Sequence, residues 1–153
     1  MRKREDRPPV EVREAAPDAV PLLERALPGN HAQQLANAEA GRRSFLIAWC
    51  GGEPVGTAVV RWTGVPVAGH GPVPEIGSLE VVPDRRGEGI GSRLLAAAEE
   101  RVRERGESAA AVVVAEDNVG ARRLYERLGY RDTGTRRAVA GSAPGLLLVR
   151  KLG

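Results

Sequence analysis

The sequence predicts an α/β fold built on one sheet, and three observations carry that prediction. Short runs rich in Val, Ile and Leu alternate along the chain with stretches whose apolar residues recur at helical spacing. One run, AAAVVVA at 109–115, is apolar throughout, the mark of a strand covered on both faces. Nothing in the 153 residues reads as a linker between two cores or as an internal repeat, and that length suffices to bury one core. The expected division is a charged flexible tail over 1–9 and a single domain over 10–153.

Each element follows from a local pattern. The tail ends at Pro8-Pro9, whose fixed φ and missing N–H groups discourage regular structure. VEVRE alternates as a short strand. Val20, Leu23 and Leu27 stand at helical spacing after Asp18, and Pro28-Gly29 stops that helix. HAQQLANAEAG is a second, polar helical stretch. FLIAWC, the turn GGEP and VGTAVVRW read as an antiparallel hairpin. The Gly- and Pro-rich TGVPVAGHGPVPE that follows reads as a loop, and IGSLEVV as the next strand, ended by Pro83. Around SRLLAAAEERVRERG, residues Ile90, Leu94, Ala98 and Val102 repeat every fourth position, Leu95 widens the stripe and Gly106 ends the helix. After AAAVVVA, Asp117 or Asn118 can cap a helix running through Ala121, Leu124, Tyr125 and Leu128 to Gly129. YRDTGTRRAVA and GLLLVRKL are the last two strands, with GSAPG between them.

Composition narrows the function. With 42% hydrophobic residues the chain is globular, and it has no apolar run of membrane-spanning length, so a soluble, cytoplasmic protein without membrane association is expected. Cys50 is the only cysteine, which excludes an intramolecular disulfide, and its place in FLIAWC suits a small buried residue. His31 and His70 lack partners at ligand spacing, so no metal site is expected. The net charge of +3 suits an anionic partner, but the arginines are spread along the chain and only 3% of residues are aromatic. That combination disfavours nucleic acid and suits a smaller polyanion such as a phosphorylated cofactor.

The most informative stretch is EVVPDRRGEGIG, at 80–91, running directly into a helix. Gly87, Gly89 and Gly91 cost backbone entropy on folding, yet they free the backbone to approach a ligand. The first turn of the following helix offers N–H groups without intrahelical partners at the positive end of the macrodipole, which favours an anion. A P-loop would need GxxxxGK[ST], which is absent, and a dinucleotide fold would place GxGxxG in an early βαβ unit, whereas this loop lies halfway along the chain after a hairpin.

The segment L-E-V-x-P-x-x-R-G-x-G-I-G-x-x-L-L resembles motif A of the GNAT superfamily of N-acetyltransferases, with Arg86, Gly89 and Gly91 meeting its [Q/R]-x-x-G-x-[G/A] signature. Downstream, Asn118, Ala121, Leu124, Tyr125, Glu126, Gly129 and Tyr130 resemble motif B, N-x-x-A-x-x-L-Y-E-x-x-G-[FY]. The resemblance covers roughly residues 10–153. It implies a mixed, mostly antiparallel sheet of six or seven strands with helices on both faces, and acetyl-CoA held where two central parallel strands splay. It further implies that the pyrophosphate lies on Arg86, Gly87, Glu88, Gly89, Ile90, Gly91 and Ser92, that the pantetheine arm bonds the backbone of Leu79, Glu80 and Val81, and that Asn118 contacts the cofactor. Asn118 also reads as a helix cap, and Arg122, Arg123 and Arg127 read either as a solvated helix face or as a hold on the phosphorylated end of CoA.

The implied reaction is direct attack of a primary amine on acetyl-CoA. The Val81 N–H is then the candidate donor to the developing oxyanion. Tyr125 matches the family's general acid for the leaving thiolate, against the alternative that it is simply core. Glu75 stands where some histone-acetylating members carry a base; strand alternation puts Glu80 on the face opposite Leu79 and Val81, and that parity favours Glu75, against a surface carboxylate or a water relay. Val113 occupies the position of a glutamate that serves other relatives. The alternative function is a catalytically silent acyl-CoA-binding regulatory module. The resemblance implies an acceptor pocket over 20–42 and 63–75, where Glu24, Glu39 and Glu75 can attract a cation, and a homodimer through the late strands as one oligomeric state.

Overall fold

The computed structural model describes residues 7–139 and 141–153. The first six residues of the expected tail, and Ala140 at the end of the expected penultimate strand, lie outside the described residues. In chain order the elements are β1 (Val10–Glu14), α1 (Val20–Ala26), α2 (His31–Glu39), β2 (Arg43–Cys50), β3 (Glu53–Val67), β4 (Gly71–Val81), α3 (Ile90–Glu104), β5 (Ala109–Ala115), α4 (Val119–Arg127), β6 (Arg131–Arg137) and β7 (Gly145–Lys151), with single 3-10 turns at Pro17–Ala19 and Pro83–Arg85. The strands form one seven-stranded sheet in the order β1-β2-β3-β4-β5-β7-β6. Pairing is parallel between β4 and β5 and antiparallel in β1–β2, β5–β7 and β6–β7. This is the mixed, mostly antiparallel α/β architecture the sequence predicts.

Two compact units share these elements: one comprises the chain up to Val60 with Ser78–Ala98, the other Arg61–Gly77 with Glu99–Gly153. In the first, β2 alternates between two cores. Phe45 and Ile47 meet Leu23 of α1 and Leu35 of α2, whereas Ala48 and Cys50 join the cluster that holds Ile90 and Leu94 of α3. Helices thus cover both faces of this strand. The polar α2 is anchored at its start by His31, which is buried and whose Nε2–H donates to the Leu27 carbonyl at 2.9 Å. Cys50 is buried as expected and its thiol donates to the Pro8 carbonyl at 3.2 Å.

In the second unit, β5 is buried along most of its length and pairs with β7 over all seven residues, from Ala109↔Lys151 to Ala115↔Gly145. Val65, Val67, Val73, Ala109, Ala111, Leu147 and Val149 close its core.

The stretch TGVPVAGHGPVPE is not a loop. β3 continues to Val67 and β4 begins at Gly71, leaving Ala68–His70 as the turn. Buried Val65, Val67 and Val73 give the segment an apolar face to bury, while Gly64, Gly69 and Gly71 adopt the left-handed φ values of 73°, 83° and 70° that the irregular strand and its turn require. Pro66 and Pro72 sit at exposed positions, where a missing strand donor is tolerated.

Candidate active site

Within the first unit, the end of β4 leads through the turn at Pro83–Arg85 into the glycine loop. Leu79 and Val81 are partly buried against the cluster containing Ile90 and Leu94, and Glu80 between them is exposed. Glu80 therefore does point away from its two neighbours. Just upstream, Ser78 has φ +50°, a left-handed conformation unusual outside glycine, and its carbonyl accepts from the Thr57 hydroxyl at 3.3 Å. This kink interrupts the alternation of β4. Parity counted through Ser78 assumes an unbroken strand, so it does not decide between Glu75 and Glu80. Gly56 lies against the same segment: a Cβ there would come within 2.7 Å of the Glu80 carbonyl oxygen and 2.8 Å of Leu94 Cδ1.

After the turn at Pro83–Arg85, Arg86 folds back and its Nε donates to the Val81 carbonyl at 3.2 Å, tying the start of the loop to the strand. Gly87 and Gly89 have φ values of +81° and +83°, and a Cβ on either would meet nothing within 4 Å. The glycines are needed for their left-handed backbone, which leaves open space in front of the chain. Gly91 lies inside α3, whose intrahelical bonding begins with Arg93 N–H to Gly89 O at 3.1 Å, so the N–H groups of Ile90, Gly91 and Ser92 occupy the unpaired first turn. Glu88 is the one acid in the loop, and its charge would oppose an anion there. It is engaged by Arg7 at 2.7 Å and Arg85 at 3.2 Å. Desolvation acts to raise its pKa, yet the hydrogen bonds from Arg7 and then Arg85 outweigh it and hold the carboxyl below its usual range.

Within the second unit, Asn118 rather than Asp117 caps α4, its Oδ1 accepting from the Ala121 N–H at 3.2 Å. Tyr125 projects from the last turn of this helix and is half-buried; α4 contributes no fully buried residue, so the core place falls instead to Tyr130, which is 1% exposed. The two rings meet edge to face at 5.6 Å and 73°. Burial pushes the Tyr125 phenol above its ordinary pKa. The Tyr130 hydroxyl donates to Glu99 Oε2 at 2.6 Å, and Arg150 Nη1 donates to both Glu99 oxygens at 2.9 and 3.0 Å. Glu75, on β4 opposite Ala111 of β5, is only 8% exposed, so it is no surface carboxylate. Its Oε1 accepts from Arg137 at 3.2 Å and its Oε2 lies 3.6 Å from Arg61. Gly77 leaves the room that Arg61 needs, since a Cβ there would collide with its Nη1.

The loop is thus joined to Leu79–Val81 in one unit, while Asn118, Tyr125 and Glu75 belong to the other. Sequence reasoning missed the Glu99–Tyr130–Arg150 network and the arginines around Glu75 and Glu88. One signal was available for the first: Glu99 stands four residues after Leu95, on the apolar stripe of α3, where a charge needs a partner.

Comparison with known proteins bears on the fold and the family. The model of the acetyltransferase (GNAT) family matches residues 10–130. No curated protein matches. Among solved structures, Ard1 from Thermoplasma volcanium superposes with a TM-score of 0.76 at 22% identity, over 94% of this chain and 98% of that one. The ribosomal-protein-S18-alanine N-acetyltransferase from Escherichia coli gives 0.72 at 17% identity, over 94% of each chain. A GNAT family acetyltransferase from Elizabethkingia anophelis, with acetyl-CoA bound, gives 0.67 at 18% identity, over 94% of this chain and 98% of that one. At such identities the superpositions speak for the fold, and it is the family match across most of the chain that makes this protein a member of the GNAT acetyltransferase family.

Proposed function

We propose that residues 10–153 work as one N-acetyltransferase domain that moves an acetyl group from acetyl-CoA to a primary amine by direct attack. The observation that carries this reading is the loop at 86–92: two left-handed glycines run into the unpaired first turn of α3, and the loop's acid is engaged by two arginines. Acetyl-CoA, the donor characteristic of this family, supplies a thioester-activated acetyl group. The N–H groups of Ile90, Gly91 and Ser92 then hold pyrophosphate oxygens, with Arg86 setting the start of the loop. The backbone of Leu79, Glu80 and Val81 aligns the pantetheine arm, and the Val81 N–H donates to the oxygen on which negative charge develops.

An alkylamine titrates near 10.4 and needs a proton acceptor before it can attack. Glu75 is the carboxylate assigned to that proton, directly or through water, with Arg61 and Arg137 fixing its position. Tyr125 supplies the proton to the departing thiolate. Its raised pKa keeps the phenol protonated at neutral pH, so the acid is present in the form the step consumes. Asn118 orders the start of α4 and reaches the cofactor with what its cap leaves free.

The test follows thiol release from acetyl-CoA with a panel of polyamines, aminoglycosides, amino acids and ribosomal N-terminal peptides. One amine should support turnover, and Tyr125→Phe should lower kcat about 10²-fold or more with CoA affinity unchanged. An unchanged rate removes Tyr125 from the mechanism. CoA binding without turnover on any amine assigns the chain to the silent acyl-CoA-binding reading instead.

A further inference from the structure

The second unit contains a cleft of about 830 Å³ at the end of β7 and the start of β6; none of the residues assigned above is on its lining, although Tyr125 stands only two residues before Arg127, which is. Asn118 stands at the opposite end of α4 from Arg127, which lines the cleft; nine helical residues separate the two ends by about 13 Å. Likewise β7 reaches the cleft at Val149–Lys151, while Gly145, beside Ala115, marks its far end some 20 Å away.

The charge of this cleft is unbalanced. Arg127, Arg131 and Lys151 line it, and among the described residues none of them has an ion-pair partner. Arg150 lines it too, with Glu99 behind it. Among the described residues the one acid on the lining is Asp132, already engaged by Arg136 at 3.1 Å, by Arg122 at 3.5 Å and by the Gly134 N–H at 2.8 Å. The carboxyl end of α4 would ordinarily repel an anion, but its last carbonyls accept from the N–H groups of Leu128, Gly129 and Tyr130. Register adds direction: Arg131 faces Val149 across the β6–β7 ladder, and Lys151, two residues on, projects to the same side.

We propose that this cleft is a second binding site, for a small soluble molecule bearing two or more phosphate groups. Its volume lies in the range of small-ligand pockets rather than of a flat interaction surface. The lining contains no Phe, Tyr or Trp, so it offers no stacking platform for nucleic acid bases. Two arginines and a lysine with unsatisfied charge match an anion that presents several oxygens at once, and Thr133 and Thr135 extend the polar wall.

The test is calorimetric titration of the full chain, saturated with CoA, with inorganic pyrophosphate at physiological salt. One pyrophosphate should bind per chain. Arg131→Gln with Lys151→Gln should weaken it about a hundredfold, roughly tenfold per charge removed, while Arg131→Lys with Lys151→Arg should stay within about threefold of wild type. Both substituted side chains are exposed, and thermal melting checks that each variant is folded. Absence of binding, binding that CoA abolishes, or binding indifferent to the double substitution overturns the proposal. So does a single-stranded RNA oligomer that binds through the same two residues where pyrophosphate does not. The CoA arm uses wild-type protein and remains decisive even if a variant misfolds.

Discussion

Replacing Tyr130 by Phe deletes one oxygen from a buried network and leaves its ring in place. The lost hydroxyl donates to Glu99 Oε2 at 2.6 Å, and both residues are buried, at 1% and 4% exposure. A hydrogen bond to a charged acceptor contributes about 1.5–3 kcal/mol. Glu99 Oε2 keeps Arg150 at 3.0 Å, so it is not left wholly unsatisfied, and a loss of about 2 kcal/mol is expected. In a chain of this size that lowers Tm by about 4–8 °C, read from urea and thermal unfolding by circular dichroism. Alkaline pH gives a second readout. Burial first, and then the bond to Glu99, raise the Tyr130 pKa above its ordinary value near 10, so the folded state holds this proton more tightly than the unfolded chain. The resulting stability is fully present below about pH 10 and declines above it, by about 1.4 kcal/mol per pH unit for one such group. Tyr130→Phe should make that decline shallower by one group's worth. A variant within about 0.5 kcal/mol of wild type, with the same alkaline slope, would refute the claim that the network stabilises the fold.

Gly56→Ala should destabilise by about 1–3 kcal/mol in the same unfolding assay, because its new Cβ meets the Glu80 carbonyl, a backbone atom with little freedom to retreat; an unchanged midpoint would mean that β3 and β4 can part there. Glu75→Gln should lower kcat about 10²-fold with CoA affinity unchanged, read from the same thiol-release assay. A rate within about twofold of wild type would remove Glu75 as the base.

Most of the architecture could be read before any coordinates because its signals are local. The four-residue stripe of α3, the apolar β5 and the capped start of α4 each need only their own neighbours to be specified. The hairpin over 63–75 was misread because Gly and Pro usually mark loops. Its strand character comes from Val65, Val67 and Val73 closing a core with β5 and β7, partners distant in sequence. The same limit governs the candidate site. The glycine loop announces itself within seven residues, whereas the ion pairs of Glu75 with Arg137 and of Glu99 with Arg150 span separations of 62 and 51 residues. Local pattern holds no trace of such pairs beyond a carboxylate in an apolar place.

The left-handed Ser78 makes β4 a strand with a phase slip. Side chains are counted one way before it and the other way after it, so the serine works as a spacer whose backbone conformation matters more than its hydroxyl. Removing that single residue would take away one count and the slip together, so Leu79 and Val81 would keep their faces on a straightened strand. A residue that keeps its place but refuses the left-handed backbone is the harsher change: the side chains beyond it would exchange faces, and the Glu80 carboxylate would be driven towards Ile90 and Leu94, a burial that costs several kcal/mol without a partner. The chain thus tolerates glycine or asparagine at this point, or a one-residue gap, better than it tolerates a β-branched side chain.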